Sequence, residues 1–331
     1  MRRMTTTTLF AAALIASYSP TASTAEATVQ EITFTVTNPL EPGVSYEIYG
    51  RMSLPEGSCA GVLLLQHGLS YGAWGWDFPI QPETYSTVKA LADAGYASVT
   101  IDRLGYGRSA HPDGYKLTVE GYADMTRQMM DQLRTGTYAA AAKPSFAKVG
   151  LMGHSAGTEV SEMTAALYGA DALIATAYHH FPSQRIVADF FTGDFVRAAQ
   201  DDYEEFGGDE AGRTEYMYHL PNADPAVVAK DNELRNLTPS GEVYTIGPQP
   251  SRYVMNRITA PTLLVLAEYD LLFEPSFAEQ EEALFVSAHD LTTMIVEDAG
   301  HSFMLHKNAA QTNASMIGWL QARPEAVPAC A

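Results

Sequence analysis

A serine lies between small residues in the segment Gly153-His154-Ser155-Ala156-Gly157. The apolar residues 147–152 before it predict a short buried strand, and residues 156–168 after it predict a helix. A serine on such a strand-to-helix turn exposes its Oγ, and the turn requires small residues two positions before and after the serine. The pattern predicts a nucleophile at Ser155, with an ordinary tight turn as the alternative.

A serine nucleophile needs a general base, and the base needs an acid that orients it. Asp270 follows a predicted strand over 262–266, and His301 follows another over 291–296. The ends of parallel strands meet at one edge of a sheet, where such sheets place their ligand sites. We therefore predict a catalytic triad of Ser155, Asp270 and His301, in the chain order Ser, Asp, His.

Other acids and another histidine lie near these positions. Glu268 is predicted to belong to the strand end, and Asp298 is close to His301 along the chain. His306 is predicted at the start of the final helix, facing elsewhere. These residues are weaker candidates for the acid and the base.

An oxyanion formed by attack on a carbonyl needs two N–H donors. Ala156 follows the serine and supplies one donor by position. The loop Gln66-His67-Gly68-Leu69-Ser70 follows the third predicted strand, and the Leu69 N–H is the candidate for the second. His67 is interpreted as a structural hydrogen-bonding residue of this loop, with a second base as the alternative.

Strand and helix patterns alternate along most of the chain. Strands are predicted over 29–36, 46–54, 62–65, 96–101, 147–152, 172–177, 262–266 and 291–296, and helices over 84–94, 118–133, 156–168, 275–285 and 308–320. This alternation predicts an α/β fold with a mostly parallel sheet flanked by helices.

The alternation stops over 183–258, where aromatic and acidic helical patterns occur without a clear strand. Long insertions at the carboxyl edge of a sheet commonly form functional lids. We predict a helical cap over 183–258, inserted after the sixth core strand, with the core formed by 26–182 and 259–331.

These motifs together resemble the α/β-hydrolase superfamily. The matching residues are His67-Gly68, the run Asp102-Arg103-Leu104-Gly105-Tyr106-Gly107-Arg108-Ser109, the Gly-His-Ser-Ala-Gly segment, Asp270 and His301. The run after the fourth strand is typical of the capped serine-hydrolase branch, which includes esterases and lipases. The resemblance implies the α/β-hydrolase fold, catalysis by Ser155, Asp270 and His301, and no cofactor.

No metal is expected either. His179 and His180 are adjacent, so their side chains diverge on a strand, and no His/Cys cluster has the spacing of metal ligands. The segment from Gly105 to Ala110 matches a dinucleotide fingerprint, but Pro112 and Gly114 occupy positions where that motif needs a helix.

The N-terminus resembles an export signal. Arg2-Arg3 precede a short apolar run over 9–16, and small residues offer cleavage after Ala25 or Ala27. We predict a signal peptide over 1–25, a secreted or periplasmic mature protein, and no membrane-spanning segment after cleavage.

The formal net charge is −19, from 39 acidic and 20 basic residues, which disfavours nucleic acid and anionic lipid as partners. In an oxidising compartment, Cys59 and Cys330 can pair in a disulfide. Asn236 and Asn313 lie in glycosylation sequons, which matter only in a eukaryotic host. The oligomeric state does not follow from the sequence.

Aromatic residues near the predicted site suggest an apolar substrate pocket, with packing between cap and core as the alternative. The candidates are Tyr71, Trp74, Trp76, Phe181 and Phe191. The sequence thus predicts a secreted serine hydrolase that cleaves a small to medium apolar carboxylic ester through an acyl-enzyme. A lactonase or carbon–carbon bond hydrolase with the same triad is one alternative, and a non-catalytic ligand-binding protein on the same fold is another.

Overall fold

The computed structural model describes residues 27–182 and 184–331, and a nine-stranded sheet forms the centre of this part of the chain. The sheet has the order β11-β10-β7-β6-β3-β4-β2-β1-β5, and β8 pairs with β9 outside it. The strands are β1 (Thr28–Thr37), β2 (Ser45–Leu54), β3 (Gly61–Gln66), β4 (Ser98–Ile101), β5 (Ala139–Ala140), β6 (Lys148–His154), β7 (Leu173–Thr176), β8 (Tyr203–Glu204), β9 (Thr238–Pro239), β10 (Thr262–Ala267) and β11 (Leu291–Val296).

The six strands from β11 to β4 in this order run parallel to one another. The remaining pairs, β4–β2, β2–β1 and β1–β5, are antiparallel. The parallel part includes β3, β6, β10 and β11, which end just before Leu69, Ser155, Asp270 and His301 respectively. All four residues therefore follow the carboxyl ends of parallel strands. The predicted mostly parallel sheet is confirmed.

Residues of β3 alternate between two hydrophobic cores. Val62 and Leu64 pack with residues of the helices on one face, and Leu63 and Leu65 pack with residues of the helices on the other. This explains the continuously apolar sequence of the strand, because both faces of the sheet are covered.

Helices cover both faces of the sheet. They are α1 (Pro82–Tyr85), α2 (Thr87–Asp93), α3 (Val119–Thr135), α4 (Ala156–Tyr168), α5 (Gln184–Thr192), α6 (Asp194–Ala198), α7 (Glu210–Met217), α8 (Pro225–Leu234), α9 (Ser240–Ile246), α10 (Ala278–Glu282) and α11 (Ala309–Gln321). The single helix predicted over 84–94 is wrong, because Ser86 has extended backbone angles and its side chain accepts a hydrogen bond from the Lys89 N–H, which caps α2.

The chain between β7 and β10 contains α5 to α9 and the short antiparallel pair β8–β9. The sequence shows no clear strand in this segment, because strands of two residues carry no alternation that a sequence pattern reveals. The function of this segment as a cap stays a prediction. None of the helices in the described ranges is both long and apolar enough to cross a lipid bilayer.

A disulfide joins Cys59 and Cys330, as predicted. It fastens the end of the chain beside β3, where the Cys330 N–H also donates a hydrogen bond to the Gly95 carbonyl. Asn313 is buried on α11 and contacts the Thr87 hydroxyl, so its sequon is not accessible for glycosylation in the folded protein. The predicted signal peptide over 1–25 lies outside the described residues.

Candidate active site

Ser155 lies at the turn between β6 and α4, with φ 54° and ψ −125°. A positive φ is uncommon for a residue with a side chain and costs about 1–3 kcal/mol. Three hydrogen bonds hold the turn: the Ser155 N–H donates to Thr176 O, and the N–H groups of Thr158 and Glu159 donate to Ser155 O. The surrounding chain therefore holds the serine in a strained geometry.

Two glycines make this turn possible. A Cβ on Gly153 would collide with the backbone of Gly157 and Thr158, and a Cβ on Gly157 would collide with the carbonyls of Gln66 and His67. The spacing of small residues noted in the sequence thus reflects close packing of the turn against itself and against the end of β3.

His301 and Asp270 form a buried pair beside this turn. The His301 Nδ1 lies 2.8 Å from the Asp270 Oδ2, and the other Asp270 oxygen accepts hydrogen bonds from the N–H groups of Leu272 and Phe273. Since Nδ1–H donates to the carboxylate, Nε2 carries the lone pair of the ring. The Nε2 atom is buried, and no described residue forms a hydrogen bond with it.

The rival acids and the rival base have other partners. Glu268 accepts a hydrogen bond from the Asp298 N–H, and the Asp298 Oδ1 lies 3.2 Å from the His219 Nε2. The His306 Nε2 accepts hydrogen bonds from the N–H groups of Gly300 and His219, and its Nδ1 bonds with the Ser302 carbonyl. His306 therefore fixes the backbone on both sides of His301 and is not free to act as a base.

The loop after β3 approaches Ser155 closely. A Cβ placed on Gly68 would lie 2.9 Å from the Ser155 Cβ, so glycine is needed for this approach. His67 holds the loop, because its Nδ1 bonds with Gly68 O and its Nε2 accepts from the Arg103 N–H. Leu69 lines the same cavity as Ser155.

The N–H groups of Leu69 and Ala156 donate no hydrogen bond to any other described residue. The role of these two N–H groups as oxyanion donors stays a prediction. Ala156 is also the first residue of α4, and the N-terminus of a helix of this length favours negative charge.

His154 has a positioning role that the sequence did not reveal. Its ring lies 4.9 Å from the His301 ring, centroid to centroid, and its Nε2 donates to the His301 carbonyl over 3.1 Å. Burial, and secondarily the neighbouring His301 ring, hold the pKa of His154 well below its usual value. A neutral His154 thus supports the backbone of His301 without adding charge beside it.

A cavity of about 110 Å³ adjoins Ser155. Its lining is largely apolar, and most of it comes from the chain between β7 and β10. The lining residues are Leu69, Ser155, Tyr178, Pro182, Val187, Phe190, Phe191, Phe206, Ile246, Gly247, Gln249, Leu272 and Phe273.

Of the aromatic residues proposed for the pocket, the structure places Phe191 in the cavity lining. The other four are not among its lining residues. Tyr71 and Trp76 are buried with their rings edge-on to His154, and Trp74 packs against Tyr71. Phe181 stacks on Phe277, 6.2 Å between ring centroids.

A buried polar network supports the residue after His301. The Tyr71 hydroxyl lies 2.6 Å from Ser302 Oγ, and Tyr71 and Tyr218 both contact Asp231, which forms a buried ion pair with Arg213. Sequence reasoning missed this network, because its members come from four distant segments with no shared motif.

Comparisons with known proteins show the family and the fold. A model of the alpha/beta hydrolase family matches residues 62–314. Among curated proteins, no significant match to the sequence is found.

Solved structures provide further matches. An esterase from Thermogutta terrifontis is similar with a TM-score of 0.66 at 19% identity, over 88% of this chain and 98% of that one. A monoacylglycerol lipase from Paleococcus ferrophilus has a TM-score of 0.62 at 17% identity, over 83% and 98%. A bromoperoxidase from Bacillus anthracis has a TM-score of 0.59 at 15% identity, over 87% and 100%. At these identities, the likeness shows the fold.

The environment of His306 gives a pH-dependent prediction. Burial lowers the pKa of His306 to about 4, whereas an unfolded histidine titrates near 6.5. Protons therefore bind the unfolded chain first, and stability is lost as the pH falls from about 6.5 to about 4. His306→Gln removes this loss. When the pH is lowered from 7 to 4, the free energy of unfolding of wild type should therefore fall by about 3 kcal/mol more than that of the variant.

Urea unfolding across this pH range measures the effect. His289→Gln at an exposed position is the control and should follow the wild-type profile. Parallel profiles for wild type and His306→Gln would show that His306 is not kept neutral by the fold.

Proposed function

The chain belongs to the alpha/beta hydrolase family, and from this premise we propose that it is a secreted serine hydrolase that cleaves small, largely apolar carboxylic esters. The observation that carries the proposal is the convergence of three groups at one sheet edge. Ser155 lies on a strained turn, and in the His301–Asp270 pair beside it the buried His301 Nε2 forms no hydrogen bond with a described residue.

In the proposed reaction, the Ser155 Oγ attacks the ester carbonyl while the His301 Nε2 takes the hydroxyl proton. The N–H groups of Leu69 and Ala156 stabilise the oxyanion. Collapse of the tetrahedral intermediate breaks the ester C–O bond, and His301 gives its proton to the departing alkoxide. Water then attacks the acyl-enzyme with His301 again as the base, which releases the acid and restores Ser155. Asp270 orients His301 and stabilises the imidazolium throughout.

The cavity supports a short acyl group as the substrate class. A cavity of about 150 Å³ accommodates a molecule the size of benzene, so the 110 Å³ beside Ser155 suits a chain of a few carbons. The lining includes four phenylalanines, which favour an apolar group. We propose that the chain over 183–258 acts as a cap that forms most of this pocket.

Export to an oxidising compartment is part of the proposal. Disulfides persist in secreted and periplasmic proteins and are rare in the cytosol, and this chain carries the Cys59–Cys330 disulfide. The proposed leader over 1–25 agrees with that destination.

Ser155→Ala tests the nucleophile. Wild type should release a burst of p-nitrophenol from p-nitrophenyl acetate equal to the enzyme concentration. The variant should lose the burst and lower kcat by at least about 10⁴-fold, since no other group can form the acyl-enzyme. Rapid-mixing absorbance measures both, and Ser315→Ala on the exposed face of α11 should behave as wild type.

A burst that survives in Ser155→Ala would exclude this serine as the nucleophile. Absence of ester turnover by wild type, together with turnover of lactones or β-diketones, would favour a lactonase or a carbon–carbon bond hydrolase. Ligand binding without turnover of any of these would indicate a binding protein.

Phe206→Ala tests the acyl pocket. Phe206 is almost fully buried in the cavity lining, so truncation makes room for a longer chain. The ratio of kcat/KM for p-nitrophenyl hexanoate to that for the acetate should rise about 10-fold or more, because added methylenes then gain contacts. Tyr253→Ala, an exposed aromatic position outside the lining, should leave the ratio unchanged. An unchanged ratio in Phe206→Ala would place the acyl group elsewhere.

A further inference from the structure

A second cluster of titratable side chains includes a residue of α4, the helix that follows Ser155. It consists of Glu162 on α4, His180 after β7, and Glu281 on α10, and all three side chains are completely buried. One oxygen or nitrogen from each lies within 4.8 Å of the others. The proposed reaction uses none of these groups.

His180 is held in a fixed orientation. Its Nδ1 lies 2.8 Å from Glu281 Oε1, and its backbone N–H donates to Glu281 Oε2 over 2.8 Å. Because the Nδ1–H donates to Glu281, the Nε2 of the ring carries a lone pair that points away from Glu281. There Nε2 lies 2.7 Å from Ser251 Oγ and 3.8 Å from Glu162 Oε2. A carboxylate that fixes a histidine through one nitrogen while the other faces further donors is the usual support of a metal-binding histidine.

Glu162 lacks the partners that a buried carboxyl group needs. Neither of its oxygens forms a hydrogen bond with a described residue, although Oε2 is directed toward the His180 ring. Glu159, one turn earlier on α4, adds a buried carboxyl group whose Oε1 lies 3.4 Å from Ser251 Oγ and which also interacts with the Tyr178 hydroxyl.

No lysine or arginine in the described part of the chain forms an ion pair with these three glutamates. Burial raises the pKa values of Glu159 and Glu162 well above their usual range, and the negative charge of Glu281 adds to the effect on Glu162. Buried carboxylates without partners cost several kcal/mol, so the cluster needs either protons or a cation.

We propose that Glu162, His180 and Glu281 form a binding site for a divalent transition-metal ion, with Zn²⁺ as the best match. A donor set that combines an imidazole nitrogen with a carboxylate oxygen fits Zn²⁺, whereas Ca²⁺ and Mg²⁺ prefer oxygen donors alone. The His180 Nε2 and the Glu162 carboxylate are the direct donors to the ion. Glu281 orients the His180 ring, and the Ser251 Oγ is a further polar atom at the site, 2.7 Å from the His180 Nε2. The ion neutralises the charge that the fold buries there.

Such an ion has a structural consequence. It connects α4, which begins at the proposed nucleophile, to α10 and to the residues where the chain leaves the sheet after β7. The expectation of no metal rested on ligand spacing along the sequence. His179 and His180 do diverge, since His179 Nε2 bonds with Glu274 O while His180 turns toward the glutamates. Glu162 and Glu281 come from α4 and α10, which are far apart along the sequence, so the spacing of residues did not reveal the cluster.

Metal content and thermal unfolding of the full mature protein test the site. After removal of metals with EDTA, wild type should take up about one Zn²⁺ per chain, measured by mass spectrometry of the elements. Its Tm should rise by about 3–5 °C at Zn²⁺ 100-fold above Kd. Ca²⁺ at the same concentration should give no shift.

Variants locate the ion. Glu162→Gln keeps the volume but removes a donor, so it should lose the bound Zn²⁺ and the Tm shift, whereas Glu282→Gln, exposed on the same helix as Glu281, should retain both. If wild type binds no Zn²⁺ and shows no Tm shift, the proposal is overturned. This result does not depend on whether the variants fold. Equal Zn²⁺ uptake and equal shifts in wild type and Glu162→Gln would also overturn it. A Glu162→Gln variant more stable than wild type with or without Zn²⁺ would indicate protonated carboxyl groups instead.

Discussion

The backbone of Ser155 is held at a positive φ, and the rest of the site depends on that constraint. The cost is met by close packing: Gly153 and Gly157 allow the turn to fold against itself, and Gly68 allows the next loop to approach the serine. The parallel sheet fixes these segments, since β3 and β6 are direct neighbours with six paired residues. The strained turn therefore places Ser155 at the cavity, while the Ala156 N–H donates to no other described residue.

Two histidines near His301, His154 and His306, are kept neutral mainly by burial. Asp270 accepts one hydrogen bond from His301 and two from backbone N–H groups, so its carboxylate is well satisfied. His154 and His306 both support backbone atoms near His301, and burial lowers the pKa of each. Neutral neighbours leave His301 paired with a single acid, which is the electrostatic arrangement that the proposed proton transfer requires.

Much of the fold follows from local sequence patterns. Continuous apolar runs such as that of β3 mark strands buried on both faces. The strand patterns before Ser155, Asp270 and His301 place each residue after the carboxyl end of a parallel strand, β6, β10 and β11 respectively. The break at Ser86 depends on a single capping side chain, which periodicity does not reveal. The positions of Trp76 and the glutamate–histidine cluster depend on tertiary packing of distant segments. Residue type alone could not distinguish an aromatic ring that supports His154 from one that lines the cavity.

The central claim is that Ser155 is made nucleophilic by its position beside His301. Covalent labelling with a fluorophosphonate, followed by peptide mass mapping of the folded protein, tests it most directly. One adduct per chain, carried by Ser155, is expected. A folded protein that remains unlabelled, or an adduct on another residue such as the buried Ser302, would contradict it.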